Sequence, residues 1–182
     1  DGRVEQKSFH REYQLRDTAL TTLRTGFGVE PGDADRISAP SAEVLAPGVR
    51  IRATLGAFHM SFMQHADVYV TLELDEGLHV YGRPIPDGYQ AVDVRISTSE
   101  GLRIGEIVQP ATHPMRVAGS DEEFNVIEDR AVIRIPVVLG IRPAEDSMGI
   151  ALQVEVRYQA CTERMCFAPG RADLQIMVPL RP

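Results

Sequence analysis

The run Ile150-Ala151-Leu152-Gln153-Val154-Glu155-Val156-Arg157-Tyr158 decides the fold. Ile150, Leu152, Val154, Val156 and Tyr158 alternate with Gln153, Glu155 and Arg157. Successive side chains of an extended chain point to opposite faces, so this stretch has one apolar face and one wet face. That is the signature of an antiparallel strand covering a core on one side only. The same period of two recurs along the chain. Val49, Ile51, Ala53 and Leu55 form one inward row; Val68, Val70, Leu72 and Leu74 form another. Val92, Val94 and Ile96 follow, then Ile133, Ile135 and Val137, and finally Leu174, Ile176, Val178 and Leu180. Turn signals separate the rows at Asp75-Glu76-Gly77, Pro86-Asp87-Gly88, Glu100-Gly101, Pro143 to Gly149, and Pro169-Gly170. Strands without intervening helices predict an all-β chain, an immunoglobulin-like antiparallel sandwich of about seven to nine strands.

The chain has 182 residues, 43% of them hydrophobic, which allows one well-packed domain plus an appendage. Its net charge of −7 argues against nucleic-acid binding, which requires a basic face. No apolar run approaches the roughly 20 residues that span a bilayer as a helix. The chain opens on Asp1-Gly2-Arg3, neither Met nor a leader, which predicts a piece of a longer polypeptide. Val4 to Phe9 is an expected short strand. Asp17-Thr18 caps an expected helix carrying Ala19, Leu20 and Leu23, closed by Gly26 and Gly28. Residues 1–28 resemble the tail of a thioredoxin-fold redoxin, where a D-G-R-V turn leads into the last strand and closing helix; an ordinary N-terminal extension is the alternative. Pro31, Gly32, Pro40, Ser41 and Pro47 mark residues 29–47 as a linker, which leaves 48–182 for the sandwich.

The inward row ending at Tyr158 runs directly into Gln159-Ala160-Cys161-Thr162-Glu163-Arg164-Met165-Cys166-Phe167-Ala168-Pro169, which holds the only two cysteines. Thiols this close can pair with each other. As a structural staple the bond is weak, because closing a loop of about six residues restricts the unfolded chain by only about 2 kcal/mol. A zinc site needs two further ligands, and His59, His65, His79 and His113 stand at no zinc-finger spacing from the cysteines. Inert thiols are a further alternative. A redox-active pair fits best. Arg164 between the cysteines favours a thiolate and Glu163 opposes it.

The stretch Tyr158-Gln159-Ala160-Cys161 through Cys166-Phe167-Ala168-Pro169 resembles the N-terminal domain of the bacterial thiol:disulfide interchange protein DsbD and its relatives, which read Y-Q-x-C, a short insert, then C-aromatic-x-P. Three upstream segments agree in the same order. Glu76-Gly77-Leu78-His79-Val80-Tyr81 is similar to that family's G-aromatic-x-h-Y segment. Asp121-Glu122-Glu123-Phe124 is similar to its D-E-F cap loop. Asp129-Arg130 with Ile133-Arg134-Ile135-Pro136-Val137 is similar to its D-R-x-x-x-P-V strand. The likeness runs from about Asp67 to Leu180. One residue fewer separates the cysteines than in DsbD, His79 stands where an aromatic is expected, and the segment after Phe124 is shorter.

The resemblance implies a sandwich that accepts electrons from one thioredoxin-like module and passes them to another, with no cofactor and no metal. Cys166 would form the mixed disulfide and Cys161 would resolve it. Phe124 would lie over the disulfide as a lid, with Tyr81, His79 and Phe167 lining the site and Glu122 and Glu123 near enough to influence proton transfer. The partner would be a thioredoxin-like or redoxin domain, possibly of the same polypeptide. The compartment would be periplasmic or otherwise extracytoplasmic, or the cytoplasm if no leader precedes the chain. The rival reading is a non-catalytic sandwich with a structural disulfide, serving as a binding or dimerisation module beside a redoxin.

Overall fold

The computed structural model describes residues 39–98, 101–116, 123–145, 147 and 149–182. The strand and helix expected within residues 1–28 lie outside them. One compact unit runs from Ala39 to Pro182. Among the described residues it contains twelve strands and no helix: β1 (Ser41–Ala46), β2 (Val49–Leu55), β3 (His65–Leu74), β4 (His79–Tyr81), β5 (Asp93–Thr98), β6 (Leu102–Ile104), β7 (His113–Arg116), β8 (Glu123–Glu128), β9 (Arg130–Leu139), β10 (Ile150–Tyr158), β11 (Ala160–Cys161) and β12 (Gly170–Val178). No described helix is long and apolar enough to cross a membrane.

Two larger antiparallel sheets form the sandwich. One has the order β1-β2-β3-β9-β6 and the other β12-β10-β5. Their inner faces carry the predicted rows. Ile51, Ala53 and Leu55 of β2, Val68, Val70 and Leu72 of β3, Ile133, Ile135 and Val137 of β9, Leu152, Val154 and Val156 of β10, and Leu174, Ile176 and Val178 of β12 are buried in one continuous cluster. Burying a Val, Leu or Ile side chain is worth about 1.5–3 kcal/mol each, and this row-on-row packing is what holds the sandwich closed.

A third sheet, β11-β4-β8-β7, was not resolved in the alternation pattern. It joins each larger sheet through a single-residue corner: β10 passes to β11 through Gln159, and β8 passes to β9 through Asp129. Asp129 takes a left-handed conformation (φ 56°), which Asp tolerates better than most residues, and its carbonyl accepts the Leu74 N–H at 2.8 Å. Many of the strands beyond the expected seven to nine are short pieces of two to four residues, too brief to display a period.

The linker expected over 29–47 does not extend to Pro47. Ser41–Ala46 is strand β1, paired with β2 from Ser41↔Thr54 to Ala46↔Val49. Pro47-Gly48 is the two-residue turn of that hairpin. Proline sets φ at its first position, and Gly48 supplies the positive φ (72°) that the second requires. Pro40 and Pro47 therefore flank an outer strand that Ser41 begins, while Pro31 and Gly32 lie outside the described residues.

Candidate functional site

The two faces of the small sheet have different surroundings. On β4, β8 and β11, Val80, Ile127 and Ala160 point one way and join the main core. The alternate positions Cys161, Tyr81, Phe124 and Val126 point the other way and form a second cluster, flanked by Ile85 and Met115. Register explains the grouping. Cys161 pairs with His79 and Ala160 with Val80; His79 pairs with Glu128 and Tyr81 with Val126; Met115 pairs with Phe124. Directly opposed residues share a face of the sheet. One side of this sheet thus seals the core and the other presents the cysteine chemistry.

The cysteines sit at the end of a tight hairpin. Cys161 and Cys166 face each other across an antiparallel bridge, the Phe167 N–H donates to the Ala160 carbonyl at 2.9 Å, and the Thr162 N–H donates to the Met165 carbonyl at 2.8 Å. The Thr162 hydroxyl accepts from the Arg164 and Met165 N–H groups at 3.2 and 3.1 Å. Held this way the two Cα atoms are 4.0 Å apart and the sulfurs form a disulfide. Gln159 anchors the hairpin base: its side-chain amide donates to the Phe167 carbonyl at 3.0 Å and its Oε1 accepts the Gln90 N–H at 3.1 Å. Gln159 is the Q of the Y-Q-x-C pattern, to which the sequence assigned no role.

The two sulfurs are not equivalent. Cys161 is 0% exposed, whereas Cys166 is exposed, in a loop with Met165 and Phe167 at 58% and 45%. The Tyr81 hydroxyl lies 3.3 Å from Cys166 Sγ. Burial pushes the Tyr81 phenol above its ordinary pKa, so it stays protonated at neutral pH and can donate to a Cys166 thiolate. A thiolate approaching from solvent reaches Cys166, and Cys161 is then the leaving group.

The predicted site residues fall into three groups. Cys161, Cys166, Tyr81, His79 and Phe124 are brought together. Phe124 is on β8 rather than in a loop, is 2% exposed, and packs its ring 5.4 Å from that of Tyr81. His79 is buried and its ring meets Tyr81 edge-on at 5.5 Å. Phe167 joins through its backbone carbonyl, while its ring is half-exposed. Glu123 is not brought to the disulfide: it is exposed on the face of β8 opposite Phe124, 4.0 Å from Arg116. Glu122 lies outside the described residues.

Tyr89 and Met115 belong to the site without having been predicted. The Tyr89 ring stands edge-on to both Tyr81 (5.3 Å) and Phe124 (5.1 Å). In sequence it only follows the Pro86-Asp87-Gly88 turn signal. Met115 packs on the cluster and lines a cleft of about 300 Å³ with His79, Glu128, Thr162, Glu163 and Arg164. On the cleft side, His113 Nε2 is 2.9 Å from Glu128 Oε2. No group of three or more His, Cys, Asp or Glu side chains suited to a metal ion occurs among the described residues.

The family model described as "Thiol:disulfide interchange protein DsbD, N-terminal" matches residues 50–176. Among solved structures, the N-terminal periplasmic domain of ScsB from Proteus mirabilis aligns with a TM-score of 0.53 at 17% identity, over 78% of this chain and 52% of that one. The chain thus spans about half the length of that domain. The Neisseria meningitidis DsbD N-terminal domain in the reduced form aligns with a TM-score of 0.40 at 13% identity, over 85% of this chain and 94% of that one. No curated protein matches the sequence.

Proposed function

The chain belongs to the family of the N-terminal domain of the thiol:disulfide interchange protein DsbD, and from that premise we propose that it relays electrons between thioredoxin-like partners through Cys161 and Cys166. The observation that carries this is the asymmetry of the disulfide: Cys166 is exposed with a phenol hydroxyl 3.3 Å from its sulfur, and Cys161 is fully buried. A structural staple needs no such difference.

In the reducing half-reaction a partner thiolate attacks Cys166 Sγ. The Cys161–Cys166 bond breaks, a mixed disulfide forms, and Cys161 leaves as a thiolate. The partner's second thiolate then attacks its own sulfur in the mixed disulfide and frees Cys166. The partner dithiol is oxidised to a disulfide, and this domain gains two electrons and two protons. The reverse sequence passes them to an acceptor. Tyr81 stabilises the Cys166 thiolate by donating its hydroxyl. Phe124, packed beside Cys161 and Tyr81, excludes water from the buried sulfur and acts as its cover. The exposed Met165 and Phe167 supply an apolar rim on which a partner docks.

The compartment in this reading is extracytoplasmic, a reading supported by the periplasmic N-terminal domain of ScsB among the similar structures. One partner is a redoxin joined in the same polypeptide, a reading supported by the redoxin-like pattern of residues 1–28.

Trapping tests the relay. Cys161→Ser, first converted to its thionitrobenzoate mixed disulfide and then incubated with a reduced thioredoxin whose resolving cysteine is replaced by serine, is expected to release thionitrobenzoate and accumulate a covalent adduct through Cys166, and Cys166→Ser treated the same way to accumulate none. If neither single variant forms an adduct, the disulfide is structural and the domain is a binding module.

A further inference from the structure

Exchange at Cys166 leaves a buried titratable side chain beside the disulfide, His79, unaccounted for. His79 is the cross-strand partner of Cys161, so the two side chains leave the same face of the small sheet. It is 2% exposed, and its Nε2 is buried without a hydrogen-bond partner among the described residues. An unpaired buried polar group is costly, and in a native protein it calls for an explanation, a redox or catalytic role among them. The sequence places a histidine where the family pattern has an aromatic, so packing alone does not require the nitrogen.

We propose that His79 is the proton acceptor for the Cys161 thiol. This inference rests on the exchange reading above and adds to it the proton path of the buried sulfur. In the reduced domain Cys166 thiolate attacks an acceptor disulfide, forming a mixed disulfide and expelling the acceptor's other thiolate. Cys161 must then attack Cys166 Sγ, and a thiol is a poor nucleophile until deprotonated. His79 takes the Cys161 proton, the Cys161–Cys166 bond forms, and the acceptor leaves Cys166 as a second thiolate. In the opposite direction the imidazolium returns the proton to the Cys161 thiolate.

The surroundings fit an acceptor. Burial holds the imidazole below its ordinary pKa, so it is neutral at pH 7; the carboxylates of Glu128 on β8 and Glu163 in the inter-cysteine loop favour its protonated form, and His113 on β7 opposes it. Arg164 lines the same cleft. Tyr81, edge-on to the imidazole, is raised rather than lowered and has its hydroxyl on Cys166, which leaves His79 as the base beside Cys161.

The full chain has only two cysteines, so the reduced protein mixed with dithionitrobenzoate reads the two steps separately. Cys166 releases one thionitrobenzoate, and the attack of Cys161 releases the second. His79→Phe and His79→Gln are expected to leave the first phase unchanged and to slow the second about tenfold or more at pH 7, the low end of what a positioned base supplies. In the wild-type chain the second phase is expected to be flat above the imidazole's pKa, while in both variants it climbs with pH into the thiol range. A second phase with the wild-type rate and pH profile in the variants overturns the proposal. A wild-type chain that releases only the first thionitrobenzoate instead defeats the exchange reading itself. Proton NMR of the wild-type chain gives a check that needs no variant: a His79 titration that differs between disulfide and dithiol forms supports the coupling, and identical titrations overturn it.

Discussion

Tyr81 carries a buried ring and a hydroxyl 3.3 Å from Cys166 Sγ. A hydrogen bond to a charged group contributes about 1.5–3 kcal/mol, so Tyr81→Phe is expected to raise the Cys166 thiol pKa and slow its alkylation at pH 7 about tenfold, with thermal stability nearly unchanged. The pH profile of iodoacetamide labelling checks this. His79 makes a separate prediction about stability. Its folded pKa lies below the ordinary 6.5 because burial disfavours the charged form, so the unfolded chain binds the proton more tightly and stability falls as pH drops through and below about 6.5. The loss ends once pH passes below the folded value. Thermal unfolding from pH 7 to pH 5 is therefore expected to show a steeper decline in the wild-type chain than in His79→Phe. Equal slopes would remove the imidazole from the acid sensitivity of the fold.

The small sheet β11-β4-β8-β7 is the element on which the proposed function depends, and it is also where the sequence was least legible. Strands β2, β3, β9, β10 and β12 are seven to ten residues long and show clean alternation, because one face meets the core and the other meets water. β4 and β11 have three and two residues, too few to show a period. In β8 both Val126 and Ile127 are buried, since one packs in the site cluster and the other in the main core. That double burial hides alternation in β8, and the stretch ending at Phe124 is read as a cap loop on family likeness alone. Spacing singled out Cys161 and Cys166, and motif likeness added Tyr81, Phe124 and His79; neither could find Tyr89 or Met115, which reach the site only through the fold. Phe124 makes the element's prediction. Phe124→Ala removes a buried ring that two tyrosines and Met115 pack against, and is expected to cost about 3–5 kcal/mol while speeding reduction of the disulfide by dithiothreitol. Phe124→Leu should retain most of the stability and show a smaller gain in reduction rate. Denaturant unfolding and thiol-release kinetics on the same samples check both parts.

Across the whole molecule, the sandwich supplies stability and leaves the disulfide free to open. The main core extends through both larger sheets, and a six-residue loop closure adds only about 2 kcal/mol. Reduction is therefore expected to lower the unfolding free energy by about 2 kcal/mol and leave the fold intact, as circular dichroism before and after reduction can report. The sandwich is also expected to hold together from Ala39 onward: the Pro40 carbonyl accepts the Leu55 N–H at 2.8 Å and β1 pairs along all of β2's first six residues. A 39–182 fragment should unfold cooperatively and exchange thiols with dithionitrobenzoate at the full chain's rate. The central claim, that Cys161 and Cys166 form an exchanging pair rather than a staple, is tested most directly by the midpoint potential of the bond in thioredoxin and glutathione redox buffers. Exchange predicts a midpoint above about −300 mV, within reach of thioredoxin-like couples; a midpoint well below that value would mark an inert structural disulfide and contradict the account.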